Sequence, residues 1–200
     1  MTVSSKLSLI KRFKPTWLIS PQLNVASFSL GTFAVSAGVM LIAAATEEVM
    51  MRGYVLQELM SKFSAATAVI ASSLLFVVLH ANALIKDEIG IVGAANIFLA
   101  SVLMSVAYLQ TRALWLPIGV HAGWNTTQGP LLGINVSGTD FGQGWHTVAF
   151  EGSKWLTGGQ FGFEASLFGL IGPLVGIALL LVFLRPGAKP AAAAEALRDQ

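Results

Sequence analysis

The sequence predicts an all-α fold: a polytopic transmembrane helix bundle of about five spans, with a Gly-rich loop before the last span. Three observations carry this. Charged residues make up 11% of the 200 and hydrophobic types 54%, against roughly 25% charged in a soluble globular protein. Mean hydropathy is +0.71. The charges also leave long gaps, from Lys14 to Glu47, Lys62 to Lys86, Glu88 to Arg112, Arg112 to Asp140 and Glu164 to Arg185. Each gap can hold the roughly 20 apolar residues that cross a bilayer. None alternates like a lipid-facing barrel strand, so the spans are helices, which satisfy their own backbone polar groups. So little charge excludes an ordinary soluble enzyme and a disordered chain. The absence of Cys excludes a thiol nucleophile, a thiolate metal site and a disulfide scaffold. A formal net charge of +2 gives no argument for nucleic acid.

The elements follow in order. Residues 1–23 form a basic segment with Lys6, Lys11, Arg12 and Lys14. The apolar run behind it exceeds the 7–15 residues or so of a signal-peptide core, so it is read as a retained anchor with a cytoplasmic N-terminus. Residues 24–130 form a transmembrane core with spans near 24–46, 65–83, 90–110 and 113–130. The fourth is the most interrupted, with Pro117, His121 and Asn125 inside it. Residues 131–164 form the Gly-rich loop, containing Asp140, His146, Glu151 and Lys154, to which no chemistry is assigned. Residues 165–185 form the last span, stopped by Arg185-Pro186. Residues 186–200 form a solvated tail with a short helix at Ala191–Arg198.

Ionisable groups at apolar depth are expensive, about 2.5–3.5 kcal/mol each at mid-span, and are therefore paired or functional. Glu47-Glu48-Val49-Met50-Met51-Arg52 follows the first apolar run. Glu48 and Arg52 are four apart, share a helix face and can pair, whereas Glu47 is turned by about 100° and left free. Phe76 and His80 end the second run, one turn apart, so Phe76 can pack over the imidazole. His121 and Asn125 are also one turn apart and reach into one cavity, and Ala122 and Gly123 let another helix approach. Lys86-Asp87-Glu88 is a solvated turn. A carboxylate, two imidazoles and an amide from three helices suit two chemistries. One is water activation by Glu and His with His and Asn donors to an oxyanion. The other is a metal site, since these donors suit Zn²⁺. The motifs His-Glu-x-x-His, Gly-x-Ser-x-Gly and Gly-x-Gly-Asp are absent.

Glu-Glu-x-x-x-Arg at 47–52, Phe-x-x-x-His at 76–80 and His-x-x-x-Asn at 121–125, in that order, resemble the CPBP family. These are the CAAX-processing and bacteriocin-processing intramembrane proteases, also called the ABI family. Thr111-Arg112-Ala113-Leu114-Trp115-Leu116-Pro117 leading into His121 agrees. So does Trp155-Leu156-Thr157-Gly158-Gly159 running to Glu164-Ala165-Ser166-Leu167, which is similar to the tail of many bacterial members. The likeness covers residues 40–130. Many members carry more spans before the acid pair than the one for which this chain has room.

The resemblance implies an intramembrane glutamic endopeptidase. Glu47 would be the catalytic acid and His80 its partner in activating water. His121 and Asn125 would hold the oxyanion, with Glu48 and Arg52 in support. It implies no cofactor, with a Zn²⁺-dependent protease on the same residues as the alternative. A non-catalytic membrane immunity or partner-binding protein is the other alternative. The expected partners are a peptide or protein substrate in or at the membrane and the lipid bilayer, with no nucleic acid. The expected location is a bacterial cytoplasmic membrane. Substrate identity, use of prenylated tails and oligomeric state are not legible in these residues.

Overall fold

The computed structural model describes residues 20–25, 29–86, 88–140 and 146–184. The basic N-terminal cluster, the stop at Arg185-Pro186 and the tail lie outside the described residues. A short strand, β1 (Ser20–Val25), precedes seven helices among the described residues. These are α1 (Leu30–Met60), α2 (Ala65–Leu79), α3 (Ala81–Leu84), α4 (Gly90–Thr111), α5 (Trp115–Thr126), α6 (Lys154–Thr157) and α7 (Ile171–Phe183). A second strand, β2 (His146–Glu151), lies between α5 and α6 and pairs antiparallel with β1, Ser20 opposite Glu151 and Val25 opposite His146. Among the described residues the fold is thus helical apart from one two-stranded sheet, an addition to the all-α expectation. The stretch expected as a loop, 131–164, carries β2 and α6.

Capping starts the first two helices. Thr32 N–H donates to Ser29 Oγ at 3.3 Å before α1, and Thr67 N–H donates to Ser64 Oγ at 3.2 Å before α2. Each hydroxyl satisfies one of the donors that a helix start leaves without a partner. Helix α4 is the hub, packing against α2, α3, α5 and α7, while α1 packs against α5. The α2–α4 contact buries small polar residues, Ser72 and Ser73 from one helix and Ser101 and Ser105 from the other. Such residues let backbones come close; Ser105 Oγ–H back-bonds to the Ser101 carbonyl at 2.9 Å and Ser72 Oγ–H to the Val69 carbonyl at 3.1 Å, while Ser73 Oγ is buried without a hydrogen-bond partner. Phe76, Met51, Ile97 and Phe161 form one apolar cluster beside this contact, and Leu56, Ala68, Val69 and Tyr108 form another.

Among the described residues, two helices are long and apolar enough to cross a membrane, Leu30–Met60 and Gly90–Thr111. The second matches its expected span. The first does not stop at residue 46. It runs on through the acid pair because a π-helical segment, Val49–Val55, carries Arg52 inward against Glu48 and neutralises the charge that was expected to end the helix. Helix α2 ends at Leu79 rather than 83, because His80 leaves the helical backbone at φ −95°, ψ 0°. It is 15 residues long, and α7 is 13. Helix α7 starts at Ile171 rather than 165 because 163–165 form a 3₁₀ turn that buries Glu164. Both are apolar but shorter than the five-span expectation requires. Gly123 is a further correction: it is exposed and has no neighbour within 4 Å of its side-chain position, so Ala122 alone takes the packing role.

Candidate active site

The acid pair divides into one committed and one uncommitted carboxylate. Glu48 is fully buried at 0% exposure. Arg52 Nη1 lies 3.1 Å from both its oxygens. Arg52, itself 1% exposed, spends Nη2 on α4, donating to the Ser101 carbonyl at 2.6 Å and to Ser101 Oγ at 2.8 Å. Its guanidinium lies 5.3 Å from the centre of the Phe76 ring, within cation–π range. Glu47 stands outside this ion pair. Its side chain is 36% exposed, yet its Oε2 is buried and has no hydrogen-bond partner.

His121 reaches both acids. Its Nδ1 lies 2.8 Å from Glu48 Oε1, and its Nε2 lies 3.9 Å from Glu47 Oε2. A carboxylate paired with Arg52 only accepts, so Nδ1–H is the donor and Nε2 is the nitrogen turned toward Glu47. His80 is assigned by the same logic. Its Nδ1 lies 2.9 Å from the Phe76 carbonyl, which can only accept, so Nδ1 carries the proton and Nε2 holds the lone pair in the neutral ring. Phe76 sits between the two imidazoles, its ring centre 4.7 Å from that of His80 and 6.4 Å from that of His121.

A cavity of 210 Å³ lies among α1, α2, α4, α5 and α7. Glu48, His80, His121 and Asn125 all line it. Three of the four residues expected to be catalytic therefore share one cavity with one expected support. Glu47 is outside that lining and meets the cluster through His121. Leu103, Met104 and Pro173 supply part of the apolar wall. Among the described residues, no three His, Asp or Glu side chains are grouped to hold a metal ion.

The structure adds a carboxylate that was not singled out as a site residue. Glu164, 7% exposed, also lines the cavity. Trp124 Nε1–H donates to its Oε1 at 3.2 Å, and Ser137 N–H and Oγ–H donate to its Oε2 at 2.7 and 2.9 Å. Burial pushes its pKa up, and the Ser137 and Trp124 bonds and His121 pull the other way. The available signal was a carboxylate directly abutting an apolar run, with Gly158, Gly159 and Gly162 just before it.

Compared with known families, residues 29–127 match the family model described as type II CAAX prenyl endopeptidase Rce1-like. All three motifs fall inside that match. No curated protein and no solved structure matches the chain.

Proposed function

This chain belongs to the CAAX protease family, a membrane-embedded peptidase family, and from that premise we propose that it is an intramembrane endopeptidase of the glutamic type. One contrast carries the assignment of the acid: Glu48 is ion-paired with Arg52 at 3.1 Å and bonded to His121 at 2.8 Å, while Glu47 Oε2 accepts no hydrogen bond and meets His121 Nε2 only at 3.9 Å.

Glu47 takes a proton from water, and the hydroxide adds to the scissile carbonyl carbon. His80, with a free Nε2, shares the orientation and deprotonation of that water. The carbonyl oxygen becomes an oxyanion and accepts from Asn125 and His121. His121 Nε2 can donate only when the ring carries both protons, since Nδ1–H is already given to Glu48. Collapse breaks the C–N bond, and the proton taken from water passes to the leaving amine. The products are a carboxylic acid and an amine. Glu48 and Arg52 hold α1 against α4 and fix the His121 ring.

The same proposal places the protein as a helix bundle in a bacterial cytoplasmic membrane, cleaving a peptide or protein substrate there. Large apolar side chains on the outer faces support lipid contact: Ile42 on α1, Val78 on α2 and Val182 on α7 are 69%, 65% and 74% exposed. The family description makes a prenylated C-terminal peptide the first substrate to try. The functional test compares membrane-protein N-termini by mass spectrometry between cells making the wild type and cells making Glu47→Ala at matched levels. Peptide ends found only with the wild type support cleavage and reveal substrates. Identical ends, with both proteins inserted and folded, overturn the reading.

A further inference from the structure

Glu164 and Ser137 lie beyond residues 29–127 and have no part in the chemistry above. Their geometry nevertheless converges on it. Trp124 stands on α5 three residues after His121, on the same helix face, and directly before Asn125 in the chain, so a shift of its backbone carries both. Its N–H is held by Glu164, and its six-membered ring packs against Gly172 of α7, where an added Cβ would lie 3.1 Å from Trp124 Cζ3. The other oxygen of Glu164 holds a turn in which Ser137 has the left-handed φ of 48°, unusual for a residue with a side chain.

The backbone that delivers Glu164 is itself fixed. Gly162 has φ 108°, and a Cβ there would fall 1.9 Å from the Asn135 carbonyl. Gly138 N–H donates to the Phe161 carbonyl at 2.8 Å, and Asn135 Nδ2–H to the Gln160 carbonyl at 2.8 Å. One buried carboxylate thus fastens the turn around Ser137 to the catalytic face of α5.

We propose that Glu164 is a positioning residue of this active site: by holding Trp124 against the Ser137 turn it sets His121 and Asn125 in register for the oxyanion. The inference rests on the peptidase proposal. A carboxylate offers acceptors to all three donors. An amide at the same position turns an NH₂ toward Trp124 or toward Ser137, so Glu164→Gln keeps the shape and breaks one arm. Small displacements of groups around a reacting carbonyl can lower rates by about 100-fold.

The experiment measures kcat and KM with a quenched fluorescent farnesylated CAAX peptide for the wild type, Glu164→Gln, Trp124→Phe and the double variant. The indole N–H resonances are recorded in detergent with ¹⁵N-labelled Trp. The wild type has five indole signals, and Trp124→Phe identifies the one from Trp124. Positioning predicts that kcat falls by about tenfold to 100-fold in either single variant with KM within about twofold, and that the double variant is no worse than the singles. It also predicts that Glu164→Gln shifts the Trp124 indole signal. A folded Glu164→Gln with wild-type kcat overturns the proposal, as do losses that multiply in the double variant. If Glu164→Gln fails to fold, Trp124→Phe decides alone: wild-type kcat overturns the proposal. A wild type inactive on this peptide and without cleavage products in cells sinks the peptidase reading, and the positioning role with it. An unmoved indole signal independently refutes the clamp.

Discussion

The imidazole of His121 lies between two adjacent carboxylates, with Nδ1 2.8 Å from Glu48 Oε1 and Nε2 3.9 Å from Glu47 Oε2. Neighbouring helical residues diverge by about 100°, and a ring entering that angle from α5 is within reach of both. The contact separates the two acids chemically. Glu48 gives its charge to Arg52 and its Oε1 to the His121 N–H, whereas Glu47 Oε2 accepts no hydrogen bond and lies 3.9 Å from His121 Nε2.

Substitutions should therefore divide stability from activity. Arg52→Met leaves Glu48 buried with His121 as its only partner and should destabilise the protein by about 3–5 kcal/mol, the range for breaking one side of a buried pair. Glu47→Gln removes no bonded partner and should stay within about 1 kcal/mol of the wild type while abolishing cleavage. Unfolding in detergent, followed by Trp fluorescence beside the peptide assay, checks both. Equal destabilisation by the two substitutions would contradict the division of roles.

Phe76 should matter beyond its volume. Its ring contacts the Arg52 guanidinium, stacks at a tilt on His80 and meets His121 edge-on. Phe76→Leu keeps an apolar filler and should lose about 1–2 kcal/mol of stability. It should lower kcat by at least about tenfold, because His80 and His121 lose the surface that orients them. A variant with the stability loss but wild-type turnover would reduce Phe76 to packing.

The pairing of Glu48 with Arg52 and the shared cavity of His121 and Asn125 were legible because each is a one-turn relationship on a single helix, and the separate position of Glu47 because adjacent helical residues diverge by about 100°. Phe76 over His80 was legible for the same reason. The extension of α1 to Met60 was not, because charge spacing ends a span wherever ions stand, and only the buried partners Ser101 and His121 show that these ions need no water. Helix α2 was expected too long because nothing local marks His80 as the exit from helical backbone. Glu164 was passed over because its three donors come from Trp124 and Ser137, 40 and 27 residues away, separations that no helical period reveals.

Removing metal should leave turnover unchanged. Both candidate imidazoles have committed Nδ1, to Glu48 and to the Phe76 carbonyl, and Arg52 already neutralises Glu48. A metal would have to be held by the two Nε2 atoms and Glu47. Activity before and after chelation, with metal content measured on the same sample, checks this. Stoichiometric metal together with chelator-dependent loss of cleavage would put the Zn²⁺ alternative in place of the glutamic one.

Glu164 should leave a signature in the pH dependence of stability. Burial raises its pKa in the folded protein above its value in the unfolded chain, about 4.3. Below the unfolded value both states are protonated, and the favourable burial of the neutral acid is fully present. As pH rises, the unfolded chain loses its proton first, so the folded state binds more protons and stability falls with pH. The loss continues until the folded value is passed, with a slope of at most about 1.4 kcal/mol per pH unit for one group. Glu164→Gln does not titrate and should lack this component, so the difference in unfolding free energy between wild type and variant should slope across that window and flatten on either side of it. Melting in detergent at a series of pH values reads that difference directly. Parallel curves for the two proteins would mean that Glu164 has no raised pKa in the fold.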